Sequence, residues 1–194
     1  TFKFVLKFDI KKVFASYFIV YVGIAVASVS APAFGQTQIG TYAFWFAFVT
    51  FIPLLFIVGY RYLKYRDVPE PARPLFCIFT APMSLCLAGY FQSVTPKSKM
   101  FVIGMAIVAV LLFILVLLRL SRFLKLKFYP SYAAFTFPFV ISAIAMKQTY
   151  LFLQMQDIKV RGLITLIQFE TLLATVLVLY AFVRYCIHIF KKSN

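Results

Sequence analysis

The sequence predicts an all-α, polytopic integral membrane protein, and two observations support this prediction. Hydrophobic residues make up 63% of the 194 residues, and charged residues make up 13%, which is about half the charged fraction of a soluble domain. The apolar residues also fall into six stretches, each long enough to cross about 30 Å of hydrocarbon as an α-helix. We call them segments A to F, and they cover residues 13–30, 42–60, 74–91, 101–118, 131–150 and 163–183.

Short polar connections separate these segments, so successive segments are predicted to pair as antiparallel helical hairpins. Several connections contain a residue that breaks helices, among them Pro32, Pro69 and Pro96. Six spans with such short connections leave no room for a separate soluble domain. We therefore predict a single membrane domain over residues 1–194.

The distribution of positive charge predicts how the chain lies across the membrane. A net charge of +15 could indicate a nucleic-acid partner, but in membrane proteins Lys and Arg collect in cytoplasmic connections. If the residues before segment A lie inside, fifteen of the twenty basic residues lie on that side. We expect a multi-pass protein of the cell membrane with both ends cytoplasmic, no nucleic-acid partner, and a basic rim that attracts anionic membrane lipids.

No arrangement of residues indicates catalysis. The sequence lacks a Ser/His/Asp set, paired carboxylates and a glycine-rich phosphate loop. Cys77, Cys86 and Cys186 have neither metal-ligand spacing nor the spacing of a disulfide framework, and His188 is the only histidine. We expect no enzymatic activity, no cofactor and no metal site.

Small residues alternate between the segments. Gly, Ala and Ser number seven, four and six in segments A, C and E, against three, three and two in B, D and F. Small side chains allow close helix packing or leave space for a permeant, whereas bulky ones suit lipid. We expect A, C and E to be inner helices, with Gly23, Pro82 and Pro138 as kink or pore-lining residues. A mid-helix proline frees a carbonyl and bends the axis, and the alternative is a kink without a role in transport.

Lys147 and Glu170 are the only formal charges within the segments. An ionisable group in a membrane span is a functional candidate by default. Three interpretations of Lys147 stay open: an ion pair with Glu170, attraction of anions at a pore mouth, or extension of the side chain to the interface. We favour a packing role for Glu170, because a carboxylate would repel anions in a pore.

The stretch YPSYAAFTFPFVISAIAMK at residues 129–147 resembles the signature of the tellurite-resistance/dicarboxylate transporter family, the TehA-like proteins. That family includes fungal malate permeases and the plant guard-cell slow anion channels. VYVGIAVASVSAPA at residues 20–33 and ARPLFCIFTAPMSLCLAGYF at residues 72–91 are similar to the same family, in the same order. The resemblance therefore extends over nearly the whole chain.

The resemblance implies a pore fold of ten helices in five hairpins, with odd-numbered helices inside, assembled as a homotrimer. Segments A to F would match helices five to ten, so we expect the chain to be the C-terminal part of a longer protein. The resemblance also implies that Phe137, immediately before Pro138, is the phenylalanine that closes the pore. Phe135 and Phe139 lie on other faces of the helix and are less favoured.

The predicted function is transport of small monovalent anions or C4-dicarboxylates across a membrane, through a pore gated by Phe137. One alternative is a carrier that exports tellurite or lipophilic cations. An acidic cluster facing the pore would favour cation export, and the sequence contains none. The other alternative is a membrane scaffold without transport, which would have no continuous cavity.

Overall fold

The computed structural model describes residues 10–65, 67–158 and 160–192. Over these residues the chain forms α-helices and 3-10 helices and no strand. The α-helices are α1 (Tyr17–Val22), α2 (Ala25–Ser30), α3 (Thr37–Lys64), α4 (Ala81–Ser93), α5 (Lys99–Leu124), α6 (Phe137–Met155) and α7 (Leu163–Lys192). The 3-10 helices are Ile10–Lys12, Ala31–Phe34, Glu70–Thr80 and Pro130–Phe135.

Five helical stretches of the described chain are long and apolar enough to cross a membrane. They correspond to segments B to F and cover Thr37–Lys64, Glu70–Ser93, Lys99–Leu124, Pro130–Met155 and Leu163–Lys191. Segment A differs from the expectation of a continuous helix, because it is divided into α1 and α2. The prediction of an all-α, polytopic membrane protein is confirmed.

Segment C lies at the centre of the bundle. Its helix α4 packs against α2, α3, α5 and α6. In the most apolar 18 residues of Glu70–Ser93, 89% of the residues are buried. The corresponding fractions are 33% for α3 and for α5, and 22% for α7. Large apolar side chains on these three helices stay exposed, for example Phe56, Leu118 and Phe182. Because exposed apolar surface within a span suits lipid, segments B, D and F form the outer side, as expected.

Segments A, B and C meet through small residues. The Ser28 Oγ donates a hydrogen bond to the Gly89 carbonyl at 3.0 Å, and the Ser93 Oγ donates to the Ser28 carbonyl at 2.5 Å. The Thr41 Oγ1 of α3 donates to the Ser93 carbonyl at 2.6 Å. A Cβ on Gly89 would lie 2.9 Å from both the Cβ and the Oγ of Ser28. Because Gly89 has no side chain, the backbones of α2 and α4 can approach each other closely.

A buried arginine ties the chain together at the basic end, which we define as the end of the bundle where α3 and α5 terminate. Arg61 is only 1% exposed. Its guanidinium donates to the carbonyls of Lys11 at 3.2 Å, Tyr65 at 2.6 Å and Asp67 at 2.9 Å. It also lies 5.1 Å from the ring centroid of Phe14. One side chain thus joins the residues before segment A, the end of α3 and the B–C connection.

The packing at Gly89 can be tested with a single methyl group. We expect Gly89→Ala to destabilise the protein by roughly 1–3 kcal/mol, because the new Cβ overpacks against Ser28. Gly104→Ala is the matched control, since nothing lies within 4 Å of a Cβ at that helical glycine. The control should be neutral or slightly stabilising. Thermal unfolding of the two purified variants in detergent measures the difference, and equal midpoints would contradict close packing at Gly89.

Candidate functional site

An apolar groove runs between segments A and E, and segment C forms its floor. Its cavity volume is about 530 Å³. Segment A contributes five lining residues between positions 18 and 26, segment C five between 75 and 85, and segment E five between 131 and 138, with Pro130 just before it. The three segments richest in small residues therefore surround one cavity.

The groove offers an ion almost no fixed polar group. Among the described residues that line it, Ser131 has the only polar side chain, and its Oγ donates to the Pro71 carbonyl at 2.6 Å. None of these lining residues is charged. Across residues 10–65, 67–158 and 160–192, no cluster of three His, Cys, Asp or Glu residues could hold a metal ion. Transfer of an ion into the groove is therefore governed by loss of its hydration.

Each inner segment is interrupted where it lines the groove. Segment C changes from the 3-10 helix Glu70–Thr80 to α4, and segment E from the 3-10 helix Pro130–Phe135 to α6. Pro82 and Pro138 lie in the first turns of these α-helices, where a missing N–H costs little. Both prolines therefore lie within their spans, at the change from 3-10 helix to α-helix, and their role as kink or pore-lining residues stays a prediction. Segment A is interrupted at Gly23, between α1 and α2.

The amino end of α6 lies at the groove, because its first residues Phe137 and Pro138 are among the lining and Thr136 before them is not helical. The amino end of an α-helix carries a partial positive charge. That charge stabilises an anion without any basic side chain. The amino end of α6 therefore places a partial positive charge beside an otherwise apolar cavity.

One of the three candidate phenylalanines faces the groove. The Phe137 side chain lines it and is 48% exposed, whereas Phe135 and Phe139 are each 0% exposed. The Phe135 ring packs against Tyr132 with centroids 4.9 Å apart, and the Phe139 ring packs against Phe113 at 6.1 Å. Phe135 and Phe139 are therefore core residues, and Phe137 lies on the same cavity as Gly23, Pro82 and Pro138.

Lys147 does not line the groove. It borders a second cavity of about 450 Å³ between α6 and α7, together with Thr171 and Thr175. Glu170 is fully buried, and its Oε2 accepts a hydrogen bond from the Ser142 Oγ at 3.1 Å. Within the described residues Lys147 and Glu170 form no ion pair, so the interpretation that they pair is wrong. Ser142 is 28 positions from Glu170, and no local pattern pointed to it as the partner.

The start of segment E is fixed to its neighbours at the basic end. The Tyr129 hydroxyl donates to Glu70 Oε1 at 3.1 Å, and the Tyr132 hydroxyl donates to the Leu126 carbonyl at 2.7 Å. Desolvation and the adjacent Glu70 carboxylate raise the pKa of Tyr129, so its hydroxyl remains a donor at neutral pH. These bonds hold the 3-10 helix that leads into Phe137, and sequence reasoning did not find them.

The packing role of Glu170 can be tested by two substitutions. Glu170→Ala opens a cavity between α6 and α7 and removes the acceptor of Ser142, so we expect a loss of roughly 2–3 kcal/mol in stability. Glu170→Gln keeps the volume and an acceptor oxygen and should retain most of the stability. Thermal unfolding in detergent distinguishes the two, with Thr171→Ala at the neighbouring exposed position as control. A Gln variant as unstable as the Ala variant would show that the carboxylate itself is required.

A family model described as a voltage-dependent anion channel matches residues 1–186 of the chain. Comparisons with curated proteins and with solved structures each found no match. The matched range includes segments A to F, and so all three segments that form the groove.

Proposed function

Because the chain belongs to the voltage-dependent anion channel family, we propose that the groove is part of the anion pathway and that Phe137 closes it. Members of this family carry anions across membranes and are not enzymes. One observation supports this assignment above the others. Phe137 is a half-exposed ring on an apolar cavity between the three segments richest in small residues.

The gate would act through the size and apolar character of the phenyl ring. A ring across a narrow apolar passage excludes a hydrated ion by steric obstruction and by dewetting. Gly23, Ala133 and Ala134 line the same groove, and their small side chains leave space into which the ring can rotate. Opening would therefore need a rotation of one side chain at the amino end of α6, without rearrangement of the bundle.

Selectivity would depend mainly on dehydration. The groove presents one hydroxyl and the amino end of α6, so weakly hydrated anions would pass at the lowest cost. Small monovalent anions and C4-dicarboxylates are the proposed permeants, in keeping with the resemblance to dicarboxylate transporters and slow anion channels. Export of lipophilic cations would need acidic groups along the pathway, and the described lining residues include none.

Segments A, C and E form only part of the wall of the proposed pathway, and we propose that further helices complete that wall. Segments A, C and E would be three of five inner helices in a ten-helix domain, of which this chain is the C-terminal part. The complete protein would be a homotrimer with one pathway in each protomer. Support comes from the arrangement of A and E beside C, with the outer segments B, D and F behind them.

The gate assignment predicts a gain of function. In the complete protein reconstituted in liposomes, we expect Phe137→Ala to raise anion flux by at least roughly tenfold, because removal of the ring opens the passage. Phe137→Leu keeps bulk at this position and should raise flux much less. Chloride or nitrate efflux from the vesicles is the measurement.

Phe46→Ala is the matched control for the gate. Phe46 is 51% exposed, close to the exposure of Phe137, but it lies on the outer helix α3. Its substitution should leave flux unchanged. The gate assignment would be overturned if Phe137→Ala folded normally and conducted no better than this control.

The proposed orientation, with the basic end in the cytoplasm of the cell, can be tested by cysteine labelling. Ser98 precedes α5 and Lys125 follows it, and both are exposed. In a Cys186→Ser background, with Cys77 and Cys86 buried, we expect an impermeant maleimide to label Ser98→Cys on intact cells. Lys125→Cys should react only after permeabilisation. The reverse pattern would place the basic end outside.

A further inference from the structure

A second concave surface lies at the basic end, between α3, α5 and the 3-10 helix Glu70–Thr80. Its volume is about 460 Å³, and its lining includes Arg73, Arg119 and Arg122 but no acidic residue. In the part of the chain that the structure describes, none of these three arginines forms an ion pair with a carboxylate. Three positive charges therefore line one pocket that has no acidic lining residue. We call it the arginine pocket.

The floor of the arginine pocket is aromatic. Phe76 is 3% exposed, and its ring centroid lies 5.2 Å from that of Tyr62 and 5.9 Å from that of Phe123. The Arg119 guanidinium carbon lies 4.6 Å from the Phe76 centroid. This contact holds the guanidinium on the aromatic ring, and its N–H groups keep the planar fork that binds a phosphate through two oxygens.

A second arginine is also held in position. The Arg73 Nε donates to the Val68 carbonyl at 3.2 Å, which restrains the side chain and leaves its terminal nitrogens for another acceptor. Arg122 lies in the last turn of α5 and is exposed. Because two of the three side chains are restrained before binding, an anion that binds here loses less affinity to side-chain ordering.

The depth of the pocket identifies the source of the anion. Tyr62 and Leu63 belong to the last turn of α3, and Arg119, Arg122 and Phe123 belong to the last turns of α5. Both helices are long enough to cross the membrane, so the pocket lies at the level of the lipid headgroups. Leu63 is 77% exposed, which gives the pocket an apolar border toward lipid.

We propose that the arginine pocket binds the phosphate headgroup of an anionic phospholipid. The three guanidiniums would contact the phosphate oxygens, and the apolar border would accommodate the first methylenes of an acyl chain. The volume is in the range of small-molecule sites. The site lies on the outer side of segment C and is independent of Phe137. Free inorganic phosphate shares the chemistry, and the experiment separates the two sources.

Binding of fluorescent phosphatidic acid to the complete protein in neutral detergent micelles, followed by anisotropy, tests the site. We expect the triple substitution R73Q/R119Q/R122Q to weaken binding by roughly a hundredfold, from about fivefold for each guanidinium removed. The matched control K125Q/K127Q/K191Q removes three charges from the basic end of the bundle, at positions outside the pocket lining. It should weaken binding only by a small factor.

Three results would overturn the assignment. Equal weakening by the two triple variants would mean general attraction by the basic rim. Displacement of the lipid by inorganic phosphate at equal concentration would mean a soluble anion site, and equal binding of phosphatidylcholine would mean that charge plays no part.

If the triple arginine variant does not fold, the single pair Arg122→Gln and Lys125→Gln decides the question. We expect about a fivefold loss for Arg122→Gln, and little change for Lys125→Gln; equal losses would overturn the site.

Discussion

The close approach of segments A and C at Ser28 and Gly89 determines where a cavity can form. The hydrogen bond from the Ser28 Oγ to the Gly89 carbonyl, at 3.0 Å, sets the spacing of the two backbones and leaves no room for a side chain between them. Segment C also packs against the outer segments B and D. Segment E then packs beside C, and the groove is the space between A and E.

The groove combines apolar walls with interrupted helices. A continuous α-helix would present only side chains to an ion, whereas the helix breaks at Gly23 and before Phe137 bring backbone groups to the cavity. Backbone dipoles can favour an anion without binding it as tightly as a lysine would. Transport requires an ion to leave as readily as it enters, so weak stabilisation suits a passage better than a fixed charge.

The charged side chains of Arg61, Glu170 and Arg119 are not among the residues that line the groove, and they make other contacts. Arg61 is buried at the basic end and holds three backbone segments together. Glu170 is buried between α6 and α7, where Ser142 supplies a hydrogen bond. The Arg119 guanidinium stacks on Phe76, on the outer side of segment C. The structure thus separates the charged residues that hold the bundle together from the residues that line the groove.

The sequence alone determined the membrane class, five of the six predicted spans and the exposure of segments B, D and F, because hydrophobic length and small-residue content are properties of each local stretch. Only the tertiary structure decided that Phe137 faces the groove while Phe135 and Phe139 are buried, since rotation of a helix about its axis depends on its neighbours. The same holds for the contacts of Ser28 with Gly89 and of Ser142 with Glu170, which join residues 61 and 28 positions apart. Local sequence carries no information on such pairings, because they form only when separate segments pack.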